Sequence, residues 1–565
     1  MPLPRFSALL PARFGRTAAA LLLLQGALMV TSALEETQTY DEAIHASVGY
    51  SYWVTGNLRR DPGHPALGKL LLTVPLLFLR PDLDTASEAF RREQLEQMGI
   101  EFLYHNRLAP ETILLACRAV NIALTLALGA CVALWTRRRF GPEAALLALA
   151  LYAFDPNLTA HGRYVTTDLL ATAPVFATVI LWIEYLLTRR RAWLIAAGLS
   201  LGVAFTAKLS TLFLAGVLPL LFWIVRPESG GRRALRPFAA ACLILFLLAG
   251  GVVAAVYAPE LLHPDPYSRL RDHLTGTGAA GAALLWLAEQ IPAPPFSWLI
   301  GIDRLSEINA LGRPQYLLGQ FSEHGWWYYF PVAFAVKTPV GTLAALALAA
   351  GLAVRLREAL RPHGPILLAL AAPAAAYFVL SLGSGLNIGH RHLLPVYPFL
   401  YVLLGAVLAA ASRVRPRLAW AGALLVLAAA AESLSVYPHY LAFCNRAAGG
   451  PAAGPRYLLD SNLDWGQAFR HVGRYAREHG IRHVCLFSFG NGAPHRYVPG
   501  PSQLDPDNLA AMDCVAAVSA TPLYGLYVGP ERLRALRERQ PLAVVGHSVY
   551  LYDLRRNPAS APPER

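Results

Sequence analysis

The chain has 565 residues, 55% hydrophobic and 15% charged, with a formal net charge of +13. Soluble domains carry more charge and fewer apolar residues, so the composition points to a membrane protein. The surplus Lys and Arg fall mainly in short links between apolar runs, where basic charge sets orientation in a bilayer, and nucleic-acid binding is set aside.

An apolar run at roughly 17–34 follows Arg5, Arg13 and Arg16 and is long enough to cross a bilayer. It reads as a retained signal-anchor helix. The loop 35–112 then opens at the membrane surface with Asp41-Glu42, and His45, Tyr50, Tyr52, Trp53, His64 and Lys69 follow. Desolvation near lipid disfavours a charged carboxylate, which suits it to accept a proton, so Asp41 and Glu42 are candidates for general-base chemistry. Residues 67–79 are apolar but short, with Pro75 inside, and predict a helix lying in or dipping into the interface.

Apolar segments at roughly 113–135 and 141–156 lead to the turn 155–168, DPNLTAHGRYVTTD. Asp168 can be explained as a helix N-terminal carboxylate, whereas His161 and Arg163 beside it need another reason. Spans at roughly 168–187, 192–207, 209–225 and 237–257 precede a long loop, 258–326. The run Trp326–Phe330 reads as interfacial anchoring at the start of a span at roughly 327–354. Three further spans, at roughly 365–382, 393–411 and 418–435, complete about 11. Lys69, Lys208, Lys337 and the cluster His390-Arg391-His392 lie at ends of apolar segments. Any one of them could snorkel to headgroups; together they suit a site that meets a lipid-linked phosphate in a partly dehydrated setting.

The apolar runs stop near residue 436. The tail predicts a helix over 463–480, strands over 483–489, 514–520 and 548–554, and a helix near 530–539. That is a small α/β domain over 437–555, following a membrane body over 1–436; residues 556–565 read as a disordered tail. Cys117, Cys131 and Cys242 are small buried hydrophobes by context, and Cys444, Cys485 and Cys514 allow one disulfide without selecting the pair. No zinc motif is present.

Clusters of arginine recur in every second connection, at 5–16, 137–139, 189–191, 226–236, 355–361 and 413–417. By the positive-inside rule the N-terminus is cytoplasmic and the C-terminal domain extracytoplasmic. The loops 35–112 and 258–326 and the turns 155–168 and 383–392 then share the outer face.

These motifs, in this order, resemble the GT-C glycosyltransferases of family 39, which include protein O-mannosyltransferases and lipid A aminoarabinose transferases. The resemblance rests on Asp41-Glu42 after the first span, PGHPALGK (62–69), HGRYVTTD (161–168), GWWYYFPVAFAVKTPVG (325–341), NIGHRHLLPVYP (387–398) and LLDSNLDWGQ (458–467). It implies a GT-C-like polytopic α-helical fold in a bacterial inner membrane. It also implies a polyprenyl-phosphate sugar as donor, transfer with inversion to an extracytoplasmic acceptor, and no cofactor or metal. Protein, lipid A, cell-wall glycan and small lipid are all open as acceptor. By the same resemblance Asp41 is the base; Glu42, Arg163 and Asp168 position the substrates. Lys69 faces the donor phosphate; from their own placement in the sequence, His64, His161, Lys208, Lys337, His390, Arg391 and His392 are further candidate binding residues. The rival from another class is a transporter of a lipid-linked sugar, which calls for ionisable residues within helices near the midplane and for paired broken helices.

Overall fold

Each of the eleven apolar segments is helical in the computed structural model, which describes residues 6–225, 232–265, 267–274, 278–290 and 296–555. Seven helices among the described residues are long and apolar enough to cross a membrane, and eight if one bent pair counts as a single span. Pro142–Ala153, Arg191–Ala207 and Leu209–Val225 are apolar but shorter. The polytopic helical body therefore stands, with fewer full-length spans than the hydropathy count of eleven.

The largest departure lies at 327–354. Instead of one helix there are two, Tyr329–Lys337 and Val340–Arg355, bent by 110°. The break falls at Thr338-Pro339, where proline lacks an N–H and forces its predecessor out of the helical region. Thr338 accordingly has extended backbone angles. Likewise 67–79 forms two short helices, Ala66–Leu72 and Leu76–Leu79, interrupted around Pro75.

Helices Asp168–Thr188, Arg191–Ala207 and Arg232–Tyr257 pack in succession. Gly198 and Gly202 bring the last two together: an added Cβ would lie 2.8 Å from Leu248 Cβ and 2.5 Å from Val252 Cβ respectively. Small residues four apart allow such close approach within a bilayer, where apolar burial gives little driving force between helices. On the other side Tyr397–Val414 packs on Pro142–Ala153, which also packs on Pro110–Phe140.

The predicted tail strands are found as β3 (Val484–Phe487), β5 (Val515–Ser519) and β7 (Val549–Asp553), following the hairpin β1 (Gln315–Leu317) and β2 (Gln320–Ser322). Two three-residue strands, β4 (Pro501–Gln503) and β6 (Ala543–Val545), escaped the pattern because they are too short to show alternation. The sheet order is β4-β3-β5-β7-β6, with β3 parallel to β4 and β5, and β7 antiparallel to β5 and β6. Val484, Leu486, Val515 and Ala517 join one core with Phe469 and Val472; Cys485, Ala516 and Val518 join the other with Leu533 and Leu536. Both sheet faces are covered, which is why these strands read as continuous apolar runs. Cys485 pairs with Cys514, leaving Cys444 buried and free.

The tail helix is shorter than predicted, Phe469–Glu478, and the helix near 530–539 is one turn, Arg534–Arg537. Short 3-10 turns recur over residues 440–462, and this stretch and the segment after it pack into the helical body. The Thr37 N–H donates to Gln467 O at 3.0 Å, Tyr40 N–H to Trp465 O at 2.8 Å, and Ser461 Oγ to Ile388 O at 2.8 Å. Residues 556–565, Arg5 and Arg226 lie outside the described residues.

Candidate active site

Thr39 precedes the helix Tyr40–Thr55, whose first turn carries Asp41 and Glu42. Free N–H groups at a helix start favour carboxylates there. Consecutive helical residues point about 100° apart, so these neighbours meet different surroundings.

Glu42 turns inward and is fully buried. Its oxygens accept from Arg118 Nε at 2.7 Å and Nη2 at 2.6 Å, from the Val165 N–H at 2.9 Å and from the Thr39 N–H at 2.8 Å. Arg118 also donates to the carbonyls of Ala33 at 2.9 Å and Thr37 at 2.8 Å. Beside this pair Arg163 holds Glu36 through both terminal nitrogens, one of them at 3.0 Å, and the Tyr164 hydroxyl donates to Glu36 at 2.7 Å. Burial pushes the Glu36 carboxyl up, but Arg163 and Tyr164 reverse this and hold it below the usual carboxylate range. Glu42 and Arg163 thus knit the first span, the first loop and the 155–168 turn into one wall.

Asp41 faces away from that wall, with its side chain 24% exposed. Arg391 Nη1 lies 3.0 Å from Asp41 Oδ2 and 3.6 Å from Asp168 Oδ2, and Lys208 Nζ lies 2.5 Å from Asp168 Oδ1. The Arg391 guanidinium sits 4.2 Å from the Trp465 ring centre. Arg391 Nε, Asp168 Oδ2 and His161 Nδ1 are buried without a hydrogen-bond partner. Buried polar atoms are almost always paired, so three in one cluster mark where a substrate's polar groups fit. Burial pushes the His161 imidazole down to about 3, so it is neutral at physiological pH. Its ring packs 6.2 Å from Trp465. His392 packs 6.3 Å from Phe330 and lies within electrostatic reach of Asp168.

A second ion pair adjoins the first cluster. Lys69 is fully buried, with Nζ 2.5 Å from Asp61 Oδ2 and 3.3 Å from the His64 carbonyl. His64 Nδ1 lies 3.4 Å from the same Asp61 oxygen. Burial opposes ionisation of Asp61, yet Lys69 and His64 hold it well below the usual carboxylate range. Gly49 lets Tyr40–Thr55 approach Lys69 closely, since a Cβ there would fall 2.6 Å from the Lys69 carbonyl. His45 lies within electrostatic reach of both Asp41 and Asp61, and burial, reinforced by His64, takes its imidazole down to about 3.

Like Arg163 and Lys69, the predicted binding residues Lys337 and His390 are occupied with protein groups. Lys337 donates to the carbonyls of Leu441 at 2.7 Å and Asn462 at 2.6 Å. His390 Nε2 lies 2.6 Å from the Tyr397 hydroxyl, and its backbone N–H donates to Asn462 Oδ1 at 2.7 Å. Both fasten the 440–462 turns against the body and so hold Arg391 beneath Trp465. Sequence reasoning passed over Asp61, Glu36, Arg118, Asn462 and Trp465 as site residues. The DWGQ segment was the one visible signal among them, and its tryptophan is now seen to cover Arg391.

Residues 40–262, which contain Asp41, Asp61, Lys69, Asp168 and Lys208 but not Glu36 or Arg391, match the family model described as dolichyl-phosphate-mannose-protein mannosyltransferase. The resemblance to family 39 is borne out over that stretch. No curated protein matches the chain. Among solved structures, ArnT from Cupriavidus metallidurans bound to undecaprenyl phosphate is similar at 13% identity and a TM-score of 0.46, covering 97% of this chain and 99% of that one. Its apo state is similar at 14% identity and a TM-score of 0.45, with the same coverage. The Archaeoglobus fulgidus oligosaccharyltransferase in complex with Zn and sulfate is similar at 14% identity and a TM-score of 0.41, covering 81% of this chain and 55% of that one.

Proposed function

We propose that this membrane protein is a glycosyltransferase that moves a sugar from a polyprenyl-phosphate carrier to an acceptor on the extracytoplasmic side of the bacterial inner membrane. The observation that carries the reading is the partly open cluster of Asp41, Asp168, Lys208 and Arg391 beside the buried Lys69–Asp61 pair. Asp41 is the most accessible carboxylate of the set, so it takes the proton from the acceptor hydroxyl as that oxygen attacks the anomeric carbon. Attack from the face opposite the departing phosphate inverts the configuration. The bond from carbon to phosphate oxygen breaks, and the negative charge that develops there is met by Lys208, Arg391 and Lys69. Phosphate leaves well once its charge is met, so no general acid is invoked and the proposal contains no metal.

A transporter would use paired broken helices near the midplane. One bent pair is present among the described residues, and its Lys337 is bonded to backbone carbonyls. The ionisable cluster lies instead at helix ends and in connecting segments, which favours transfer.

The test incubates the purified chain with radiolabelled polyprenyl-phosphate sugars, with and without chelator, beside Asp41→Asn. Chelator-resistant release of lipid phosphate by the wild type alone is the expected result. Equal release by Asp41→Asn removes Asp41 as base, and no release with any donor turns the reading toward transport.

A further inference from the structure

Next to Asp41 three aromatic rings form an offset stack that the chemistry of transfer does not itself require. The Tyr40 and Phe489 rings lie 5.9 Å apart at an interplanar angle of 7°, and Phe489 and Tyr527 lie 5.5 Å apart at 15°. The rings come from distant parts of the chain: Tyr40 from the helix that carries Asp41, the other two from the C-terminal region. Phe489 and Tyr40 are half-buried, and Tyr527 is exposed.

The stack is pinned at its rim. The Tyr527 hydroxyl donates to Asp460, Arg313 Nη2 donates to the Tyr527 oxygen at 3.2 Å, and the Tyr40 hydroxyl donates to Glu96. Arg313 is exposed and within electrostatic reach of Asp41 and Asp460. Tyr527 has φ of 71° and Asp460 has φ of 59°. Aspartate tolerates the left-handed region, but a bulky ring there is an outlier, and such outliers gather at binding sites whose surroundings hold them in place.

Resting on the transfer reading, we propose that Tyr40, Phe489 and Tyr527 form the acceptor subsite and that the acceptor is a carbohydrate whose hydroxyl is delivered to Asp41. The stacked rings turn faces toward one another, so the open surface is that of the exposed Tyr527 ring, backed by Phe489, and its negative potential attracts the weakly positive C–H face of a sugar. A sugar hydroxyl both donates and accepts, matching a rim that offers the Arg313 guanidinium and the Asp41 and Glu96 carboxylates. An anionic acceptor would meet the Asp41 and Glu96 carboxylates against one exposed guanidinium. A peptide would need a sheet edge or a groove for its backbone, and the stack offers ring surface.

The experiment uses the full chain in detergent and saturation-transfer NMR with three probes: a neutral tetrasaccharide, a Ser/Thr-containing peptide and a phosphorylated disaccharide. The tetrasaccharide is expected to bind wild type and Asp41→Asn alike. Phe489→Ala is expected to weaken it about tenfold, and Tyr527→Phe, which keeps the ring, by about threefold. If Phe489→Ala does not fold, Phe489→Leu removes the ring while keeping apolar volume. Preference for the peptide or the phosphorylated sugar, or tetrasaccharide binding that survives loss of the Phe489 ring, overturns the subsite. Lipid-phosphate release is measured on the same preparations. Release without tetrasaccharide binding overturns the subsite alone, whereas binding without release overturns the transfer reading and leaves a carbohydrate site.

Discussion

Two ion-pair groups of like composition lie on either side of one helix start, and they are finished to different degrees. In the wall, Arg118 spends all three guanidinium nitrogens on Glu42 and on the carbonyls of Ala33 and Thr37. In the cluster, Arg391 spends Nη1 on Asp41 and Asp168 and leaves Nε buried without a hydrogen bond. A completed network resists change, because losing either partner strands a buried charge. An incomplete one holds charge ready for something that arrives later. Residue type does not separate the wall from the cluster, but the state of the bonds does.

Breaking the wall gives the largest expected effect. Arg118→Met leaves Glu42 and two carbonyls without their donor, and is expected to destabilise the protein by about 3–5 kcal/mol, read from thermal unfolding in detergent. Turnover per folded molecule is expected to stay near wild type. In the cluster, Arg391→Lys keeps the charge but loses the flat stacking on Trp465 and the fork that reaches both carboxylates. It is expected to lower kcat/KM for the lipid-linked donor about tenfold or more, with unfolding little changed.

A finer separation comes from pH. Burial pushes the Asp464 carboxyl up to about 7, against an ordinary value of 3.8. Between those values the folded chain keeps a proton that the unfolded chain has lost, so this group makes stability fall as pH rises through the interval and leaves it level above about 7. Wild type is therefore expected to lose stability relative to Asp464→Asn from pH 4 to 7, by roughly 1.4 kcal/mol per unit at most. A flat difference across that range would count against the buried neutral carboxyl.

The sequence displayed the body well because apolar length and arginine spacing depend on lipid thickness and membrane charge, and both are local properties of the chain. Asp41, Asp168, Lys208 and Arg391 were legible for a related reason: each is a charged residue at the end of an apolar run. Their partners were not. Arg118 sits inside a helix, 76 positions from Glu42, and nothing in its own neighbourhood reveals the ion pair. The break at Thr338-Pro339 was visible as a proline, yet the apolar composition on both sides outweighed it in the span count. Trp465 lies in a segment whose composition resembles a soluble tail, and its contact with Arg391 depends on the turns over 440–462, which local periodicity cannot foresee.

The most direct measurement compares Asp41→Asn with Glu42→Gln in one preparation series, recording lipid-phosphate release and thermal unfolding for each. A crossing is expected. Asp41→Asn loses about 10²–10⁴-fold in turnover with stability within about 0.5 kcal/mol of wild type, whereas Glu42→Gln loses several kcal/mol of stability and keeps turnover per folded molecule. Equal losses of both kinds in the two variants, or the reverse crossing, would contradict it.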